Sequence, residues 1–291
     1  MKLIGLLPCR NEDWVIGLSA RAALMWVDEL IILDHASTDR TPDILRELFY
    51  EYRGRVFTVA QSDPTWREMA HRQYLLDIAR QQNATHIAIV DADEVLSGNL
   101  LNSIRPAIER LRDGKLMQLP WTCLSQGTGR YFSSGVWGTN WVTMAFADHP
   151  NYGWAARDGY DFHHRHPVGS NSTLNVERRG SQGAGGLMHL QFSSRRRLRA
   201  KQALYKITEV LRWRHKFTDE QINAKYNLAV YESDPLTTPT AEVPAEWWEP
   251  YESLMHRLDV HAEPWQERAV RDAIAEHGRD KFAGLDLFGV A

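Results

Sequence analysis

Asp91 and Asp93 are two carboxylates with one residue between them, directly after the apolar run His86 to Val90. Such a run makes a buried strand. A strand that ends in Asp-Ala-Asp as the chain turns can offer both side chains to one hard cation. Mg²⁺ or Mn²⁺ takes oxygen ligands of this kind and completes its shell with water and phosphate oxygens. The tripeptide alone also fits a solvated turn capping the next helix; its position at a strand end favours the metal. Two other clusters could carry chemistry. His163-His164-Arg165-His166 holds three histidines and suggests zinc at first sight. Adjacent side chains in an extended segment point apart, so a substrate-binding loop is the better reading. Arg195-Arg196-Arg197-Leu198-Arg199-Ala200-Lys201, extended by Tyr205 and Lys206, reads first as a solvated helical face and second as a phosphate-facing patch. Trp121, Trp137, Trp141 and Trp154 crowd the middle third, where indoles either pack or stack on sugar faces.

The elements that must position these residues alternate over the first hundred. Strands are expected over 3–7, 29–33, 55–60 and 86–90, with helices over 14–26, 41–52 and 66–82. Pro42 suits the first turn of the second helix. This alternation implies a mostly parallel sheet covered on both faces, with ligands beyond the carboxyl ends of its strands. Arg10-Asn11-Glu12, Asp34 to Thr41 and Asp91 to Glu94 all fall at such ends. Further on, a helix is expected over 97–112 with Pro106 as a kink. Twisted strands follow over 116–146, then loop over 148–186. A helix capped by Ser193 or Ser194 should run to about Trp213, and Asp234 to Pro244 reads as a linker. Two more helical segments are expected, around 247–258 and 264–277.

Three ordered stretches, Leu7-Pro8-Cys9-Arg10-Asn11-Glu12, Ile31 to Thr41 and Val90-Asp91-Ala92-Asp93-Glu94, together resemble the family 2 glycosyltransferases. The resemblance covers residues 3–95. It implies a GT-A fold: a Rossmann-like, mostly parallel sheet flanked by helices, here with a C-terminal helical extension. The expected division is 1–215 as catalytic domain, with 1–95 binding the nucleotide-sugar and 96–215 serving the acceptor, and 216–291 as the extension. The resemblance further implies sugar transfer from a nucleotide-sugar, UDP-linked first, with a divalent metal, Mn²⁺ or Mg²⁺, and inversion at the anomeric carbon. Pro8, Arg10, Asn11, Glu12, Asp34, His35 and Ser37 would lie beside the nucleoside, and Arg72 and Ala92 beside the phosphates. His35 stands where the family usually has an aspartate that meets the uracil ring. Asp91 and Asp93 would hold the metal, with His189, after Gly185-Gly186, as a late ligand. Asp161, or else Asp158, would be the catalytic base.

Composition agrees with a soluble globular protein: 43% hydrophobic, 24% charged, net charge −3. That charge argues against a surface built wholly for nucleic acid. Cys9 and Cys123 are the only cysteines, which excludes a disulfide framework and points to the cytoplasm. Met1 to Leu7 is too short for a signal h-region, and no apolar run is long enough to span a membrane, so at most peripheral attachment is expected. The expected acceptor is a surface polysaccharide or lipid-linked glycan. Hydroxylated bases in DNA are the alternative that the arginine run motivates. A nucleotidyltransferase would want a glycine-rich phosphate loop that Pro8 to Glu12 lacks, and a non-catalytic nucleotide-sugar-binding module is the remaining rival. No oligomeric state is implied.

Overall fold

The structure, a computed structural model, describes residues 1–112, 114–162, 165–167, 169 and 175–290; His163 and His164 lie outside the described residues. Strand β1 (Leu3–Cys9) is buried along its whole length. Helix α1 (Ile16–Ala23), β2 (Glu29–His35), α2 (Thr41–Glu51), β3 (Val56–Gln61), α3 (Glu68–Gln81) and β4 (His86–Ile89) follow in strict alternation. The four strands pair in parallel in the order β3-β2-β1-β4. Because side chains alternate along a strand, Leu3 and Leu7 of β1 face one core layer and Ile4 and Leu6 the other. Ile16, Ala20, Leu45 and Leu48 cover the first layer from α1 and α2. Met69, Leu75, Leu76 and Ala79 cover the second from α3.

Beyond the acid motif come β5 (Glu94–Leu96), a 3₁₀ turn at Gly98–Leu100, α4 (Leu101–Glu109, with Pro106 inside), β6 (Leu116–Cys123), β7 (Arg130–Phe132), α5 (Gly135–Gly138), β8 (Trp141–Ala147), β9 (Val176–Arg178) and β10 (Leu187–His189). Among the described residues the sheet continues β4-β8-β6-β10-β5, with β9 beside β6. Here the direction changes: β8 runs antiparallel to both β4 and β6, and β10 antiparallel to β5. The β3-β2-β1-β4 half is therefore parallel, and the far half mixed.

The chain divides into two compact units. One comprises Met1–Thr122, Asn140–His189 and Pro244–Asp259; the other comprises Cys123–Thr139, Leu190–Val243 and Val260–Ala291. In the first, a 3₁₀ helix over Glu249–Arg257 seats Tyr251, fully buried, whose hydroxyl donates to the Leu96 carbonyl at 2.8 Å. Gly98 makes room for it, since a Cβ there would lie 2.5 Å from Pro250 Cδ. The second unit is built on α6 (Arg195–Trp213), α7 (Asp219–Tyr231), β11 (Thr240–Glu242) and α8 (Trp265–His277). Ser194 caps α6 by accepting from the Arg197 amide, and Thr218 with Gln221 forms a capping box on α7. Ile207, Val210, Ile222, Tyr226 and Val270 form its core.

Two local expectations change. Residues 240–242, read as linker, form β11 and pair antiparallel with β7, and α7 was not anticipated. The arginine run is occupied within its own unit. Arg195 reaches the Ser233 carbonyl and Asp234, Arg196 binds Glu263 and Glu267, and Arg197 donates to the Ala262 carbonyl. Lys206 does not extend a surface face. It is fully buried, donates to Asn227 Oδ1 and the Asp286 carbonyl, and lies 4.0 Å from the Phe288 ring centroid.

Candidate active site

Three strand ends meet here. After β1 the chain passes through Asn11, and after β2 through Ala36, both with positive φ, 53° and 50°. Such left-handed non-glycine residues carry a cost that surrounding contacts must offset, and they concentrate at functional sites. The contacts are visible as a zipper between the two loops. The Asn11 amide donates to Ser37 Oγ, the Thr38 amide to Asn11 Oδ1, the Glu12 amide to Thr41 Oγ1 and the Asp13 amide to Asp39 Oδ2. Ser37 thus serves first as the partner of Asn11. Pro8 is buried in β1, while Arg10 donates through Nη1 to the Pro64 carbonyl at 2.6 Å. Glu12 Oε2 accepts from Trp14 Nε1, and Asp34 Oδ1 accepts from the Ser37 amide.

His35 is fully buried, and its ring sits 4.5 Å from His71 and 5.1 Å from Trp66, centroid to centroid. A nucleobase could reach that imidazole only if Trp66 or His71 moved aside. Burial, with Arg10 next, lowers the His35 pKa. Burial, with His35 and Arg67, takes His71 down to about 4. Both rings are neutral at pH 7.

The acid motif lies across α3 from this ring cluster, because His71 and Arg72 are adjacent on that helix. Arg72 donates to Glu68 at 3.1 Å and to Asp91 Oδ1 at 3.1 Å. Ala92 is buried between the two aspartates. The β5–β10 ladder then decides the rest: Glu94 lies opposite His189, and this register brings His189 Nε2 to 3.4 Å from Asp93 Oδ2. The glycines before His189 are needed for close approach. A Cβ on Gly186 would stand 2.2 Å from the Pro120 carbonyl oxygen, and one on Gly185 2.6 Å from Ser97 Oγ.

Sequence reasoning gave no role to Glu94 or Arg165. Arg165 binds Glu94 with both forks, Nη2–Oε2 2.6 Å and Nη1–Oε1 3.0 Å, and its Nη1 also reaches Asp91 Oδ2 at 2.5 Å. Glu94 Oε1 accepts from Trp121 Nε1 at 2.9 Å, and the Trp121 ring stacks on His189 at 4.5 Å and 16°. Asp91, Arg165, Glu94, Trp121, His189 and Asp93 therefore form one continuous chain of side-chain contacts. The available signal was Glu94 itself: an acid followed by Val95 and Leu96 in a buried strand demands a cation. Asp158 stands at the exposed tip of a turn closed between Arg157 and Tyr160. Asp161 is buried, 8% exposed, four residues before Arg165.

Asp93 and His189 supply one oxygen and one nitrogen donor facing each other, a set that fits a divalent cation finished by water and phosphate oxygens. Among the described residues no group of three or more His, Cys, Asp or Glu gathers as a metal cage.

Residues 6–141 match the model of the family described as Glycosyl transferase family 2. That match spans 136 of the 291 residues. Its limits enclose both loops of the zipper, the acid motif and Trp121, while His189 and Arg165 lie beyond them. The parallel β3-β2-β1-β4 half, covered by helices on both faces, lies largely within those limits. No curated protein matches the chain in sequence. Among solved structures, S. aureus TarS 1–349 is 12% identical, with a TM-score of 0.43 over 97% of this chain and 90% of that one. TarS 1–349 in complex with UDP is 12% identical, with a TM-score of 0.45 over 95% and 88%. Glucosyl-3-phosphoglycerate synthase from Mycobacterium tuberculosis, in complex with Mn²⁺, UDP and phosphoglyceric acid, is 19% identical, with a TM-score of 0.30 over 42% and 43%. Identities and scores this low leave each residue's role to this chain's own geometry.

Proposed function

We propose that the chain transfers a sugar from a nucleotide-sugar, UDP-linked, to an acceptor hydroxyl with inversion, using a divalent cation seated at Asp93 and His189. The observation that carries this reading is the pairing of those two side chains across the β5–β10 ladder, with Asp93 inside the matched stretch 6–141 and His189 brought to it from beyond. Residues 1–95 handle the donor and 96–215 the acceptor; of 216–291, expected as a helical extension, residues 244–259 belong to the first unit. Arg10, Asn11, Glu12 and Asp34 border the nucleoside, with Pro8, His35 and Ser37 shaping the loops beneath it. Arg72 and Ala92 hold Asp91 beside the phosphates. When bound, Mn²⁺ or Mg²⁺ supplies charge neutralisation for the departing nucleoside diphosphate. The imidazole of His189 favours Mn²⁺ over Mg²⁺, which prefers an all-oxygen shell.

Asp161 is the better general base, because a buried carboxylate can be held in one orientation, whereas Asp158 faces solvent. The acceptor is a polysaccharide or lipid-linked glycan. Of the arginines that would have favoured DNA, Arg195 is engaged with Asp234 and Arg196 with Glu263 and Glu267. Cys9 and Cys123, buried and not joined in a disulfide, support a cytoplasmic setting, and no helix among the described residues is long and apolar enough to cross a membrane.

Calorimetric titration with UDP, with and without Mn²⁺, tests the reading. Wild-type protein should bind UDP at least about tenfold tighter with Mn²⁺, a coupling of roughly 1.4 kcal/mol. Asp93→Asn should lose that gain and the transfer of sugar from UDP-sugar. Equal UDP affinity with Mn²⁺ and with EDTA would refute the cation site.

A further inference from the structure

Asp91, Asp93 and Glu94 place three carboxylates within four residues, and two guanidinium groups answer them. Arg72 takes Asp91 Oδ1 and Arg165 takes Asp91 Oδ2, so both oxygens of Asp91 are held by arginine. Arg165 cannot leave freely. Its Nε donates to the Thr143 carbonyl at 2.7 Å, its Nη2 to the Ile89 carbonyl at 3.3 Å, and its fork grips Glu94, whose side chain is 1% exposed. Asp91 is the member that can move, at 28% exposure. We propose that Arg165 is a positioning residue for the cation site: it stays on Glu94, holds Asp91 in the cation's absence, and releases Asp91 when cation and diphosphate arrive.

This rests on the cation site proposed above. The freed Nη1 would then face the diphosphate, whose oxygens it can bind in place of the carboxylate. Cation and diphosphate consequently help each other. The cation competes with Arg165 for Asp91, and the diphosphate gives that guanidinium another partner. Such coupling is reciprocal.

The test is Mn²⁺ affinity, read from the electron paramagnetic resonance signal of free Mn²⁺ with and without UDP. Arg165→Met removes a positive charge a few ångströms from the site, so it should tighten Mn²⁺ binding without nucleotide by about tenfold or more. It should also shrink the UDP-induced gain by a similar factor. Arg165→Lys keeps the charge but cannot span both carboxylates, and should fall between. Circular dichroism checks the fold. If Arg165→Met does not fold, the Glu94→Gln/Arg165→Met pair removes both buried charges together; a diminished UDP-induced gain there supports the proposal. An unchanged or weakened Mn²⁺ affinity in folded Arg165→Met, or an undiminished UDP-induced gain in the double variant, overturns it. If wild-type protein binds no Mn²⁺ even with UDP, the cation site itself is wrong and this proposal falls with it. The wild-type measurement therefore separates the two failures.

Discussion

Asp91 and Glu94 are three residues apart and their pKa values move in opposite directions. Burial raises both carboxyls. At Asp91, Arg72 and then Arg165 outweigh burial, so its pKa lies below the ordinary value. At Glu94 burial wins over Arg165, and the pKa stays raised. Arg72→Met should therefore cost about 2 kcal/mol in urea unfolding, less than a fully buried pair because Asp91 is partly solvated. His71 gives a pH signature of its own. Its folded pKa of about 4 lies below the unfolded value of 6.5, so the unfolded chain binds the proton more readily. Stability is complete above pH 6.5 and declines as pH falls towards 4, by up to about 2–3 kcal/mol from this group. His35, whose pKa is also lowered, adds in the same direction, and Asp63 opposes it while Arg67 and Arg72 reinforce it. Urea midpoints at pH 7, 5.5 and 4.5 measure the slope, and His71→Phe should flatten it.

At the scale of elements, the β5–β10 ladder makes the site. His189 comes ninety-six positions after Asp93, and only the register Leu187↔Leu96, Met188↔Val95, His189↔Glu94 places them together. Gly186→Ala would drive a Cβ into the Pro120 carbonyl. It should cost about 3 kcal/mol or more, or displace β10 and abolish Mn²⁺-dependent UDP binding. Both are readable on one purified variant. Thr218→Ala probes an element remote from the chemistry. Losing the capping box on α7 should lower stability by about 1 kcal/mol in chemical denaturation and leave UDP affinity unchanged.

At the scale of the whole molecule, sequence order and spatial grouping part company. Residues 244–259 belong to the first unit, although they follow most of the second. Trp247 and Tyr251 are fully buried there, and Tyr251 satisfies the Leu96 carbonyl two residues beyond Glu94. A chain ending at residue 243 should consequently lose cooperative unfolding of the first unit, as followed by far-UV circular dichroism. Tyr251→Phe in the full chain leaves a buried carbonyl unmet and should cost about 1–2 kcal/mol.

The α/β alternation of the first ninety residues, the parallel sheet and the polar strand ends were legible in sequence. Each follows from a local period: apolar runs for buried strands, helical spacing for their cover, proline or serine at helix starts. The spacing of Asp91 and Asp93 at a strand end marked them as candidate ligands, and the family 2 resemblance added the candidate His189. Tertiary structure alone decided that Arg165 answers Glu94, that Trp121 stacks on His189, that β11 pairs with β7, and that Lys206 is buried. These depend on registers and charge pairs between residues distant in sequence. Local periodicity carries no information about which distant cation a buried acid will find.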